Sequence, residues 1–567
     1  VTLAVSTVRT AGTQGYHLPL AIRLVQEWLG RGLDIALMLS GGLLLTLAWI
    51  QARPRRGEPA HSALRQSLLT AVAWSLPLVV GLPFGSTDAH AYLDQGWQLA
   101  HGMNPYRVGL GTDGGPLAAY VDPTWVGTTT VYPPLSLRWS QLAVWVGQEH
   151  PYGSIVALHV LDLIVLLIGG WALARLAADI GRDVRTALWW YLNPLTILAG
   201  IAGLHHEVLM TTLVLVGLML ARTRYGLVTG TAVVAVATAV KQPAVLVLPA
   251  LVLASVPAVE AARGGVRLWG RIAARAGVAA VSLVATFLAM TAAAGLGSGW
   301  IHALRVPGSV LSLSPTALLG DVAGFLSRLH GHPLPEGAAN GPVARVLVPV
   351  VALGLIVMIA RLAPHGWPTL AWVGPLAFAL ASPTLWPWYL IPIPVMFGLE
   401  RLSPDGVRRR IAFVVAVAFV QLVIEETDFQ LYGSLAMALA LAAATLLYTR
   451  RHPALARSLA AGPQGPVRSV EWARHPSDPQ EAESMSRLSR DQIRTMMAEV
   501  LANQGKTLPA DDTAALDAIG FRSLDFSELA LSVEDELGTE LNFDAPGLRS
   551  ITTVSDVLDF IEQLQDA

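Results

Sequence analysis

Apolar residues recur in long runs from Leu33 to Tyr448, and the runs are flanked by Arg, Pro and Gly. Each run is long enough, or nearly so, to cross a hydrocarbon core about 30 Å thick. The pattern predicts thirteen spans, near 33–50, 68–84, 154–177, 186–203, 207–221, 226–240, 244–257, 276–295, 343–362, 367–382, 388–400, 411–425 and 430–448. Several are shorter than about 17 residues, so they must be re-entrant, broken or shielded by neighbours. Beyond residue 489 apolar positions recur at helical spacing in 490–503, 523–538 and 553–564, enough for a small three- or four-helix bundle. The predicted fold is all-α: a polytopic membrane bundle over 1–452, a linker over 453–489 that is rich in Pro, Gly, Ser and Arg, and a small soluble bundle over 490–567.

Composition sharpens this picture. Of 567 residues 53% are hydrophobic and 14% charged, against roughly 25% charged in a soluble domain; with a mean hydropathy of +0.52, an ordinary soluble enzyme is excluded. The sequence has no cysteine, which removes disulfides, thiolate metal sites and cysteine nucleophiles. Net charge is −2, but residues 491–567 hold sixteen acids and four bases, so the two parts obey different rules. The stretch from Val1 lacks the pattern of a cleavable signal peptide, and the first span is expected to direct targeting. No nucleic acid partner is expected.

Arginine placement sets sidedness. Connections bearing Arg53, Arg55 and Arg56, then Arg175, Arg182 and Arg185, Arg222 and Arg224, Arg263 to Arg275, Arg408 to Arg410, and Arg450 with Arg451 alternate onto one face, which the positive-inside rule makes cytoplasmic. The N-terminus is then outside and the C-terminal bundle cytoplasmic. Loops 85–153 and 296–342 fall outside. The first is rich in aromatic residues, among them Trp97, Tyr106, Tyr120, Trp125, Tyr132, Trp139 and Trp145, and has an apolar stretch, 135–147, too short to span, which suits a segment lying along the membrane surface.

Ionisable residues near membrane depth are costly and are functional candidates by default. Asp88 follows the second span and is placed either as a general base at the mouth of the bundle or as a helix N-cap or solvated loop acid. Asp94 is a second acid or a surface charge. The turn Gly203-Leu-His205-His206-Glu207 gathers three ionisable side chains; it lacks the i, i+4 spacing of a zinc helix, so no metal is predicted, and contact with a phosphate or sugar stands beside a structural role. Lys241, one of two lysines in the chain, either meets a phosphate as a compact charge or snorkels to the interface. Arg305 is a second external cation. No Gly-rich nucleotide motif is present, so energy must come from a pre-activated substrate or an ion gradient.

The strings Asp88-x-x-x-Tyr92-x-x-Gln95-Gly96, Gly102-x-Asn104-Pro105-Tyr106, Asp122-Pro-x-Trp125, Tyr132-x-Pro134-Leu135, Asn193-Pro194-Leu195, Gly203-x-His205-His206-Glu207, Val240-Lys241-x-Pro243, Ser314-Pro-Thr316 and Pro387-Trp388-Tyr389 occur in this order. Together they resemble the actinobacterial polyprenol-phosphomannose-dependent α-(1→6)-mannosyltransferases of the GT-C class, over roughly residues 30–450. The resemblance implies a membrane enzyme that takes mannose from a polyprenyl phosphate and transfers it, with inversion, to a hydroxyl of a glycolipid or other lipid-linked acceptor. It implies Asp88 as the base; Lys241, His205, His206 and Arg305 near the leaving phosphate; and Tyr132, Trp388 and Tyr389 along the sugar and lipid groove. Relatives commonly read His-Asn-Asp where this chain has His205-His206-Glu207, a departure that bears on acceptor choice.

In the tail, Ile519-Gly-Phe-Arg-Ser523-Leu-Asp-Phe-Ser-Glu528-Leu and Val533-Glu-Asp-Glu-Leu-Gly538 look like an acyl carrier protein. The resemblance implies a 4′-phosphopantetheine arm on Ser523 and an acidic face of Glu528, Glu534, Asp535 and Glu536 that meets a phosphopantetheinyl transferase and cytoplasmic acyl enzymes. Many carriers have Asp before the serine, where this chain has Arg522. The competing readings are an unmodified docking module with Ser523 as an N-cap, an inactive membrane scaffold displaying the carrier, and a transporter or flippase. The last would need polar residues near mid-membrane and a repeat between halves.

Overall fold

The computed structural model describes residues 31–54, 61–223, 225–257, 265–303, 314–332, 340–362, 366–423, 431–452, 488–502, 506–522 and 551–565, with single positions 456, 459, 525, 526, 529, 530 and 533. Among them the regular elements are all helical, and one isolated β-bridge joins Ala515 to Thr553. Contacts divide the chain into two units, Val1–Val470 and Glu471–Ala567.

The first unit contains α1 (Arg31–Gln51), α2 (His61–Val79), α3 (Asp88–Ala100), α4 (Pro134–Val146), α5 (Pro151–Asp179), α6 (Val184–Tyr191), α7 (Glu207–Ala221), α8 (Gly226–Val240), α9 (Leu248–Ala254) and α10 (Gly265–Ala294). It continues with α11 (Pro315–Leu329), α12 (Asn340–Leu362), α13 (Trp367–Ala381), α14 (Pro392–Phe397), α15 (Pro404–Val423) and α16 (Leu431–Arg451). Helices occupy all thirteen apolar runs, but length and composition alone qualify only three to cross a membrane: α5, α10 and the Pro342–Ile359 part of α12. A fourth qualifies if the bent pair Thr196–Ala202 and α7 is one span. Some other apolar helices, such as α8 and α13, are shorter, and Pro243 and Pro387 each open a 3₁₀ turn that interrupts an apolar run. Thirteen spans is thus the reading of the apolar runs, and three or four helices qualify by length and composition among the described residues.

Burial shows what solvent these helices need. On α10 Val281 is 70% exposed, and on α12 Val346, Val350, Leu353 and Ile356 are each more than 60% exposed. Apolar stripes of that extent are untenable in water and ordinary in lipid. The chain is a multi-pass membrane protein.

The chain crosses the core by a kink that the sequence builds locally. After α6, Pro194 cannot continue the helical ladder. Asn193 fills the gap: its Nδ2 donates to the Trp190 carbonyl and Thr196 Oγ1, both at 2.8 Å, while its Oδ1 accepts from the Thr196 N–H at 3.2 Å. A π-helical turn, Thr196–Ala202, follows, and the chain then bends by 112° into α7. Leu204 turns the corner at φ +57°, a left-handed conformation unfavourable for a branched residue. It is held there because its side chain is fully buried against Leu82, Ala89, Leu93 and Leu158.

A second clasp holds the start of α3. The Phe84 N–H donates to the Ala202 carbonyl at 2.8 Å, and the buried Gln421 of α15 donates Nε2 to the Gly85 carbonyl at 2.9 Å. Gly85 has φ +67°, and a Cβ there would lie 2.8 Å from the Gln421 carbonyl oxygen, so glycine alone suits this approach. α3 and α4, which lie outside the apolar spans, then pack so closely that a Cβ on Gly96 would come within 2.6 Å of the Ser140 backbone. Near α1, Trp49 and Trp189 stack at 4.2 Å and each donates its indole N–H to the other's carbonyl, at 2.9 and 2.7 Å.

The second unit is built on α17 (Arg490–Ala502) and α18 (Val554–Gln565). Ile493, Met497, Val500 and Leu501 of α17 meet Val554, Val557, Leu558 and Ile561 of α18, with Phe521, Leu529 and Val533 completing the core. Thr553 and Asp556 cap α18 reciprocally; the Thr552 and Thr553 N–H groups hold the Asp556 carboxyl down at about 2. Ser523, Glu528, Glu534, Asp535 and Glu536 lie outside the described residues.

Because the Ser140 backbone cannot recede from a Cβ, Gly96→Ala is expected to destabilise the α3–α4 contact by about 1–3 kcal/mol. A lowered midpoint of thermal unfolding in detergent, relative to Gly277→Ala, a helical glycine at which a Cβ meets nothing within 4 Å, would report the packing.

Candidate active site

The turn at Leu204 and the start of α3 bring the polar candidates together. Asp88 is the first residue of α3; Thr87 occupies the cap position without a side-chain cap bond, so Asp88 is neither the N-cap nor a fully solvated loop acid. Its side chain is 16% exposed. Tyr92 donates its hydroxyl to Asp88 Oδ2 at 3.2 Å, Tyr132 does so at 3.5 Å, and the two hydroxyls are 3.1 Å apart. His205 Nδ1 lies 3.9 Å from the same oxygen and 3.4 Å from the Tyr92 hydroxyl. Burial raises the Asp88 carboxyl above the usual carboxylate range, while Lys241 and the two tyrosine hydroxyls pull it down.

The aromatic residues fix these groups. His205 stacks on Trp388 at 4.0 Å, Trp388 on Trp386 at 5.1 Å, and His206 on Tyr92 at 4.2 Å. Tyr132 is set by its N–H, which donates to Thr130 Oγ1 at 3.2 Å, and by its carbonyl, which accepts from the Tyr106 hydroxyl at 2.7 Å. The adjacent histidines thus serve one cluster from two sides of Tyr92. His205 Nε2, both ring nitrogens of His206 and Glu207 Oε2 are buried without a hydrogen-bond partner among the described residues. Unpartnered polar atoms gathered in one place point to a ligand or water.

Lys241 neither snorkels nor stands free. α8 ends at Val240, Lys241 adopts an extended conformation, and its ammonium forms a buried ion pair with Glu207. It also lies 4.6 Å from the centre of the Tyr389 ring and 5.7 Å from that of Tyr132. Among the described residues no group of three His, Cys, Asp or Glu is arranged to hold a metal.

Two cavities meet at Tyr389. A cleft of about 390 Å³ is lined by Asp88, Tyr92, Tyr132, Trp388 and Tyr389, and also by Asp122, Gln95, Trp125, Thr384 and Trp386. A narrow apolar pocket is lined by Lys241, Glu207, Met210, Pro243, Phe378 and Tyr389. Asp94 lines neither. It is fully buried, contrary to a surface charge, and accepts from the Gly111 N–H at 2.9 Å and Gln98 Nε2 at 3.3 Å, pinning the following loop to α3. Burial pushes its carboxyl up to about 7, with Asp113 adding to the rise. Arg305 lies outside the described residues. The sequence left Asp122, Trp125 and Trp386 without a catalytic or binding role; the first two stood only in a string whose spacing carries no chemistry, and Trp386 lay outside every such string.

Residues 1–257 match the family model described as alpha-(1->6)-mannopyranosyltransferase, N-terminal domain. The chain is 32% identical over 339 residues to a protein named Alpha-(1->6)-mannopyranosyltransferase A from Mycobacterium tuberculosis, an alignment covering 58% of this chain and 61% of that one. A protein of the same name from Corynebacterium glutamicum is 31% identical over 317 residues, covering 52% and 64% of the two chains. The match therefore spans a little under two thirds of these relatives. Among solved structures, ArnT from Cupriavidus metallidurans bound to undecaprenyl phosphate overlaps 71% of this chain and 74% of its own at 15% identity, with a TM-score of 0.39.

Removing one member of a buried ion pair strands the other charge in an apolar setting. Lys241→Met alone is expected to cost about 3–5 kcal/mol, whereas the double variant Lys241→Met, Glu207→Leu should recover most of it. Thermal unfolding of the three proteins in the same detergent measures the difference.

Proposed function

We propose that the membrane unit is a glycosyltransferase that moves mannose from a polyprenyl phosphate to a hydroxyl of a lipid-linked or glycolipid acceptor. The observation that carries this reading is Asp88, a part-buried carboxylate with Tyr92, Tyr132 and His205 converging on one oxygen at the wall of a large cleft. Support also comes from the relatives named alpha-(1->6)-mannopyranosyltransferase, a name that specifies the sugar and the linkage class.

In this reaction the acceptor hydroxyl approaches Asp88, whose carboxylate takes its proton as the oxygen attacks the anomeric carbon. The bond from that carbon to the phosphate oxygen breaks, and the polyprenyl phosphate leaves with the electron pair. Inversion of a β-linked donor then gives an α-mannoside. Lys241 is the cation available to the leaving phosphate, and His205 and His206 supply further ring nitrogens. Glu207 occupies Lys241 until the phosphate takes its place. Tyr389, over which the Lys241 ammonium sits, separates the lipid phosphate from the acceptor cleft, and Trp388 fixes His205. The positive-inside assignment puts this chemistry on the outer leaflet and the C-terminal unit in the cytoplasm.

Asp88→Asn is expected to lower mannose transfer from polyprenyl-phosphomannose by at least ~10²-fold without loss of the folded state; unchanged turnover would remove Asp88 as the base. The wild-type acid limb should lie above the ordinary carboxylate range, because burial raises the Asp88 carboxyl and the active form is the deprotonated one. Rate is therefore lost as pH falls through that raised value.

We further propose that the C-terminal unit is a phosphopantetheine carrier loaded on Ser523, which recruits cytoplasmic acyl enzymes or docks as an assembly element. Mass spectrometry after co-expression with an active phosphopantetheinyl transferase should find the pantetheine mass on the wild type and lose it in Ser523→Ala. Its absence from the wild type would leave a helical docking module.

A further inference from the structure

The cleft that holds Asp88 contains a second carboxylate. Asp122 Oδ2 accepts from the Thr87 hydroxyl at 3.2 Å and Oδ1 from the Thr124 N–H at 2.8 Å. Thr87 is the residue before Asp88, so this bond ties the second acid to the first. A carboxylate has about four acceptor positions, and these two bonds leave capacity on both oxygens. Asp122, Thr87 and Thr124 all line the cleft, together with Gln95 and the indoles of Trp125 and Trp386.

Flat indole faces beside oxygen acceptors suit a sugar, whose C–H face packs on an aromatic ring while its hydroxyls donate to carboxylate or amide oxygens. Charge separates the two cavities that meet at Tyr389. Asp88 and Asp122 make the cleft unfavourable for a phosphate, whereas the apolar pocket beyond Tyr389 holds Lys241 ion-paired with Glu207, so an anionic lipid head finds a cation there only by displacing that carboxylate. A neutral, polyhydroxylated acceptor fits the first and not the second.

We propose that Asp122 is an acceptor-binding residue: it takes an O–H of the acceptor sugar against Trp125 and Trp386, and thereby presents another hydroxyl of that sugar to Asp88. The proposal rests on the transferase reading for the reaction, but the binding it describes is measurable without turnover.

The test uses the full chain in lipid nanodiscs with octyl α-D-mannopyranoside as acceptor probe, read by tryptophan fluorescence without donor and by transfer with saturating polyprenyl-phosphomannose. Asp122→Asn should weaken probe binding and raise the acceptor KM by about ten-fold, leave the donor KM unchanged and keep kcat within about three-fold. Asp122→Glu should restore part of the binding. Unchanged probe affinity in Asp122→Asn, a fall in kcat alone, or a wild type that does not bind the probe would overturn the proposal. Should Asp122→Asn fail to fold, Trp386→Leu, from a different element of the cleft, is read by the same titration with the same two outcomes. A wild type that binds the mannoside through Asp122 but transfers nothing would sink the transferase reading and leave the subsite standing.

Discussion

Charged and polar side chains enclosed by an apolar bundle persist only where they meet one another, because no water is at hand to solvate them. That constraint organises the membrane unit. Lys241, just past the end of α8, and Glu207, the first residue of α7, are buried almost completely, so each is the other's compensation. Asp88 sits nearby with hydroxyls from Tyr92 and Tyr132 directed at it. The bent chain at Leu204 delivers His205, His206 and Glu207 to the same place. Without the bend, those three would lie along a helix and face separate surroundings.

The chain's irregular geometry is concentrated where the polar groups converge. Two 3₁₀ turns opened by proline line the cleft or the apolar pocket beside it, and a π turn and a buried left-handed leucine lead directly into His205, His206 and Glu207. Regular helices satisfy their own backbone and cannot aim several side chains at one point; interrupted ones can, provided that the freed groups find partners in protein. Asn193 supplies those partners after α6, and Gln421 supplies one for Gly85. Tyr389 then divides the space into an apolar pocket that holds the Lys241–Glu207 ion pair and a cleft lined by Asp88 and Asp122.

Several elements were legible along the chain. The apolar runs marked the helices, since lipid-facing and core-facing residues are both apolar and only the turns between them are not. Asp88, Lys241 and the His205–Glu207 turn stood out because ionisable residues are rare in such a background. The number of helices able to span alone was not legible, because a run interrupted by Pro243 or Pro387 has the composition of a span without its length. Asp94 illustrates another limit: an acid six residues from Asp88 is buried and pins a loop, a fate decided by Gly111.

Composition and periodicity by themselves determined a helical membrane protein, an acidic appendage of different character and a short set of costly polar residues, because hydropathy and charge are properties of each residue wherever it lies. Only the tertiary structure decided which of those residues face one another. It paired Lys241 with Glu207, set His205 against Trp388, and placed Asp122 in the cleft of Asp88. Those pairings join residues far apart in the chain through a bend at Leu204 and a glycine contact at Gly85, and distance along the sequence carries no information about either.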